Sequence, residues 1–158
     1  MVSVNPYAKF RDECGTVLKE TLKKLYPKIS ISSLTFQTPP AREFGELASS
    51  ISFELAKQAG KKPIDIANQI VEAIDVAKFS LIQSVRAAGE GYVNFYLNFT
   101  EFSSLTIESV RSLDLEYGFV KTESPKKIIV EHTSVNPIQP LHIGHARNPV
   151  LGDAVARI

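Results

Sequence analysis

Behind Asn5-Pro6, apolar residues recur at helical spacing: Tyr7, Phe10, Cys14, Val17, Leu18, Leu22 and Leu25 form one stripe, which Pro27 stops. An asparagine can accept from the free amides of a first turn, and proline is tolerated just inside it, so this pair opens a first helix. From Ile29 to Thr38 the residues become β-branched, serine or aromatic, with Leu34 and Phe36 on one side of an alternation that ends at Pro39-Pro40. A strand is expected there. Phe44, Leu47, Ala48, Ile51 and Leu55 return to helical spacing and run to Gly60, predicting a second helix. Ile64, Ala67, Ile70, Val71 and Ile74 predict a third, opened by Pro63, and the two helices form an αα-hairpin.

Phe79–Ala88 and Tyr92–Phe99 flank Gly89-Glu90-Gly91 and predict a β-hairpin. Thr100 is the expected cap of a further helix that carries Phe102, Leu105, Val110 and Leu113 and stops near Gly118. A first domain therefore spans residues 1–118. Residues 119–127 form a linker, containing the polar run KTESPKK, and residues 128–158 begin something new. There an apolar strand, Ile128-Ile129-Val130, leads through a proline-rich loop into a helix near Ile143-Gly144, which is half of a nucleotide-binding βαβ unit. The fold class is α/β: an α+β domain with a helix-covered antiparallel sheet, followed by the first strand, loop and helix of a Rossmann-type domain. Pro149 falls inside that last helix, where it removes a backbone bond and favours a kink.

With 158 residues and 44% apolar content, the chain can bury one good core and a piece of another. A net charge of +1 excludes a basic tail, so any RNA contact must come from a local patch. Lys23-Lys24 and Lys61-Lys62 can steer a phosphate backbone, although lysine pairs are more often solvated faces. The single cysteine, Cys14, excludes a disulfide framework or a cysteine-rich zinc site and belongs to the first helix's core stripe. The start, MVSVNPYAKFRDE, has no apolar run and resembles neither a signal peptide nor a membrane span. A cytoplasmic protein with no membrane partner is expected.

Two stretches carry chemistry. His142 and His145 bracket Ile143-Gly144 at a loop-to-helix junction, where a helix N-terminus offers amides and positive dipole to phosphate. Gly144 leaves room for an adenine or ribose to approach the backbone. In the hairpin's second strand, Val93, Phe95 and Leu97 face one side, taken as the core. Tyr92, Asn94, Tyr96 and Asn98 face the other. A wet face with tyrosine and asparagine suits an unstacked loop base, the ring stacking and the amide reading an edge. An ordinary amphipathic edge strand has the same pattern.

His142-Ile143-Gly144-His145 is the HIGH signature of class I aminoacyl-tRNA synthetases, whose HxGH variants also occur in nucleotidylyltransferases. With Val130-Glu131-His132-Thr133-Ser134-Val135-Asn136-Pro137 upstream and Leu151-Gly152-Asp153 downstream, the segment resembles arginyl-tRNA synthetases, in particular their archaeal branch. Residues 1–118 are similar to that family's N-terminal additional domain, in Phe44-Gly45-Glu46 and in Gly91-Tyr92-Val93-Asn94-Phe95. The resemblance implies a class I catalytic domain at 128–158 and ligation of L-arginine to tRNA(Arg) through arginyl-adenylate, with ATP as substrate accompanied by Mg²⁺. It implies that His142, Gly144 and His145 bind ATP, the two histidines being catalytic, that Glu131 and Asn136 contact arginine, and that Tyr92 and Asn94 contact a D-loop base. A carboxylate suits a permanently charged guanidinium. The plainer alternatives are that Glu131 caps a strand edge, that Asn136 makes an Asn-Pro turn, and that His132 is packed or on the surface. Gln139 departs from the lysine many family members carry, so the enzyme would need an intact lysine loop elsewhere.

Other functional readings stay open. A nucleotidylyltransferase would share HxGH without needing Glu131 and Asn136, and the chain can instead be a non-catalytic tRNA-binding module or gene fragment. Because it ends inside a helix of the second unit, the expectation is an N-terminal fragment that binds tRNA weakly, makes no adenylate alone and needs the remainder of a catalytic chain as partner.

Overall fold

Asn5 caps the first helix of the computed structural model as its sequence predicts: its Oδ1 accepts from the Ala8 amide at 2.9 Å, and Pro6 opens α1 (Pro6–Leu25). The structure describes residues 2–27, 33–119, 124–135, 138, 140 and 142–157. It divides into two compact units, Met1–Val120 and Lys121–Ile158.

In the first unit, α1 is followed by β1 (Phe36–Gln37), a 3-10 turn (Arg42–Phe44), β2 (Leu47–Ser49), α2 (Ile51–Ala59) and α3 (Pro63–Ala73). The hairpin strands β3 (Ile82–Ala88) and β4 (Tyr92–Leu97) and then α4 (Phe99–Leu113) complete it. All strand pairs are antiparallel, in the order β1-β2-β4-β3. The stripe of α1 supplies Phe10, Cys14, Val17, Leu18 and Leu22 to the core, where they join Ile66 and Ile70 of α3 and Val93 and Phe95 of β4. Each such large side chain contributes about 1.5–3 kcal/mol when fully buried. Two carboxylates secure the hairpin's ends, Glu13 accepting from the Leu81 amide at 3.0 Å and Glu46 from the Leu97 amide at 2.8 Å.

Helix α3 opens at Pro63, and Gly60 ends α2 in the left-handed conformation at φ 63°, both as the sequence predicts. The helix expected from Phe44 to Gly60 is broken in two. Gly45, at φ 83°, ends the 3-10 turn, and Leu47–Ser49 then lies buried between β1 and β4 as β2; only Ile51–Ala59 is helical. The apolar spacing across the break imitates a helical stripe because a wholly buried central strand is apolar at successive positions. Asn98 caps α4 in place of Thr100, accepting from the Glu101 amide at 3.3 Å. Of the strand expected from Ile29 to Thr38, residues 29–32 lie outside the described residues and only Phe36–Gln37 pairs.

The second unit holds α5 (Ile143–Arg157), which continues through Pro149 although that residue has no N–H to give the His145 carbonyl. Ile128-Ile129-Val130 makes no strand: a strand is defined by its ladder, and every paired residue described lies between Phe36 and Leu97. Ile129 is 86% exposed. Gly152 is buried against His132, whose Cβ a methyl added to the glycine would meet at 1.9 Å, so His132 has a packing role here.

Candidate functional site

The segment from Pro39 to Phe44 folds over the sheet face opposite the core. Gly45 makes this possible, because a Cβ there would lie 2.5 Å from the Phe95 carbonyl oxygen and its φ of 83° is strained for any other residue. The Glu46 amide then donates to Phe95 O at 3.0 Å, and the Tyr96 hydroxyl donates to Glu43 O at 3.0 Å. These bonds pin the loop over β4. At the far end of the strand, Gly91 (φ 138°) lies against Pro63, so the hairpin turn packs on the start of α3.

Beneath the loop sits Asn94. Strand alternation places it away from the core as predicted, but it is only 3% exposed, where a wet face was expected. Its Oδ1 has no hydrogen-bond partner among the described residues. An unsatisfied buried acceptor costs about 1–3 kcal/mol, a penalty that a ligand donor would relieve. Asn94 is among the residues lining a cavity of about 280 Å³ whose walls include Pro40, Phe44 and Tyr92, with Ala48 and Gln37 on the neighbouring strands. Tyr92 is half-buried, held edge-on by Phe53 at 5.1 Å between ring centroids. Beside the pocket, Arg86 of β3 stands 4.8 Å above the ring of Tyr96. Tyr92 and Asn94 are thus brought together, as the alternation predicts. Gln37 and Ala48 are additional wall residues. Reading Leu47–Ser49 as helix hid their place; the only signal was the alternation through Phe36.

In the second unit His142 is the N-cap of α5, and its Nδ1 accepts from the Gly144 amide at 3.1 Å. The Nδ1 of His145 accepts from the His142 amide at 3.3 Å, and the two rings stack at 3.8 Å between centroids. Two amides expected to be free for phosphate are therefore taken by the rings. Accepting at Nδ1 leaves Nε2 as the ring nitrogen that can donate. Gly144 leaves no spare room on this side, since a Cβ would come 2.9 Å from His142 Cε1. Glu131 is exposed and accepts from the Ser134 hydroxyl. It lines a cleft with His132, Ser134 and Asn148 that includes neither His142 nor His145. Asn136 and Gln139 lie outside the described residues. Among the described residues no three His, Cys, Asp or Glu side chains cluster to hold a metal, and no helix is long and apolar enough to cross a membrane.

A four-stranded antiparallel sheet with helices against its core face and a looped-over pocket on the other defines a mixed α/β module. The arginyl tRNA synthetase N terminal domain family matches residues 12–97, more than half of the chain, and the chain belongs to that family. An arginine–tRNA ligase of Thermococcus sibiricus is 42% identical over 96% of this chain and 23% of its own length. One from Pyrococcus furiosus is 38% identical over 94% of this chain, again 23% of its own length. The chain thus spans about a quarter of the length of these relatives. The crystal structure of arginyl-tRNA synthetase from Plasmodium falciparum superposes with a TM-score of 0.56 at 16% identity, covering 92% of this chain and 27% of that one, a likeness of fold alone. The family match ends at residue 97, short of His142.

Proposed function

We propose that this chain is the tRNA-recognising domain of an arginyl-tRNA synthetase, residues 1–118, joined by a linker at 119–127 to the start of its class I Rossmann-type catalytic domain at 128–158. The observation that carries the reading is a cavity of about 280 Å³ lined by Tyr92 and by Asn94, a buried amide whose Oδ1 has no partner among the described residues. A base flipped from the D-loop of tRNA(Arg) stacks on Tyr92 and hydrogen-bonds the Asn94 amide. Exposed Lys61 and Lys62, and Lys23 and Lys24 at the end of α1, supply the salt-sensitive attraction to phosphate. Nuclease protection of tRNA(Arg) by the chain tests this. The D-loop is expected to be shielded and the anticodon loop left open; uniform protection, or none, contradicts it.

The second unit supports the remainder of the family's reaction in outline. The carboxylate of L-arginine attacks the α-phosphate of ATP, a carboxyl-oxygen-to-phosphorus bond forms, and pyrophosphate leaves; a tRNA hydroxyl then attacks the arginyl carbonyl, forming the ester as AMP leaves. In this reading His142 and His145 donate from Nε2 to charge growing on phosphate oxygens, and Gly144 binds the nucleotide. Glu131 takes the guanidinium, and Asn136 holds the α-amino group. Mg²⁺ would accompany ATP, whose phosphate charge it neutralises. A cytoplasmic setting belongs to the same proposal.

A further inference from the structure

Gln37, Ala48 and Asn94 occupy successive positions of one cross-strand row that runs on to Arg86: Gln37 pairs with Ala48 between β1 and β2, Ala48 with Asn94 between β2 and β4, and Asn94 with Arg86 between β4 and β3. Residues directly opposite one another share a sheet face. All three line the cavity of about 280 Å³, with Phe44 and Tyr92 also in its walls. Neighbouring strands are about 4.8 Å apart, so the amide-bearing positions are roughly 10 Å apart with a single methyl group between them. Two hydrogen bonds of about 2.9 Å leave about 4 Å between bonded atoms, room for one base ring held at both edges. The two amides are not equivalent. Asn94 is buried with its oxygen unpartnered, whereas Gln37 is exposed at the rim on the edge strand and its side chain has no partner among the described residues.

We infer that Gln37 is a specificity-determining residue of this pocket, bonding the edge of the base opposite the one held by Asn94, over a floor that Ala48 keeps open. The inference rests on the base-binding reading above. An amide can turn to donate or to accept, so Gln37 matches an edge that presents either group but leaves an edge with neither unpaired. That makes its contribution a difference between bases, not a uniform gain. Ala48 acts through space: a longer side chain would occupy the position of the ring.

The test is an equilibrium titration of the chain with tRNA(Arg) transcripts that carry each of the four bases in turn at an unpaired D-loop position. Gln37→Ala is expected to shrink the ratio between the best and worst base about tenfold, the worth of one well-made hydrogen bond, with no change in melting temperature. Gln37→Glu, which can only accept, should shift the order of preference, and Ala48→Leu should weaken all four. Unchanged base ratios in Gln37→Ala, with Tyr92→Ala still weakening every transcript, would remove Gln37 from the site and leave the base-binding reading standing. No effect from Tyr92→Ala either would overturn both.

Discussion

If Asn94 holds a base as proposed, stability and recognition pull in opposite directions there. Replacing it with leucine, similar in size and without polar atoms, removes an unsatisfied buried acceptor, and the thermal midpoint of Asn94→Leu is expected to rise while tRNA affinity falls. A lower midpoint by calorimetry would mean that the oxygen has a partner in the folded chain. Cys14 is a second buried group with a readable consequence. Burial, reinforced by the neighbouring Glu13 carboxylate, pushes its thiol far above the ordinary range. The unfolded thiol ionises near pH 8.5 and the folded one does not, so its contribution is fully present below that pH and is lost as pH rises beyond it. Thiol reagents at pH 8 should therefore modify Cys14 only as fast as the chain opens; immediate labelling of native protein would contradict its burial. If the histidines act as proposed, on transition-state charge, loss of either His142 or His145 from the complete enzyme should lower the rate of adenylate formation by on the order of 10²-fold and spare arginine binding. Pre-steady-state activation near the wild-type rate would remove them from the reaction.

At the scale of elements, the loop over β4 is the part that makes a site out of a sheet face. Gly45→Ala would drive a methyl group into the Phe95 carbonyl and strain φ, so it should destabilise the first unit by about 1–3 kcal/mol. Denaturant midpoints measure this, and an unchanged midpoint would mean that the loop is not seated on the strand. This loop also marks where the sequence stops being legible. Local signals sufficed for α1, α3 and the β3–β4 hairpin, because a cap, a proline and a glycine-bearing turn act within a few residues of themselves. The break at Gly45 is set by the approach of Phe95, fifty residues on in the chain, and nothing in the run Phe44 to Leu55 records it. For the same reason alternation identified the face of Asn94 but not its burial, since the covering loop comes from elsewhere. Ile128-Ile129-Val130 has strand composition without a paired neighbour, which shows that composition gives the propensity and the ladder gives the strand.

For the whole molecule, the pocket belongs to the first unit, which has its own core, whereas the histidine pair belongs to the second, whose Ile143 is 87% exposed. The proposed base pocket therefore lies in the unit whose side chains are already held by packing. If one tRNA base stacks in the pocket on Tyr92, tRNA(Arg) affinity at fixed salt differs between the chain and its Tyr92→Ala variant. A loss of about 1–3 kcal/mol is expected on removing the ring, with the fold unchanged. Equal affinities for the two proteins would contradict it.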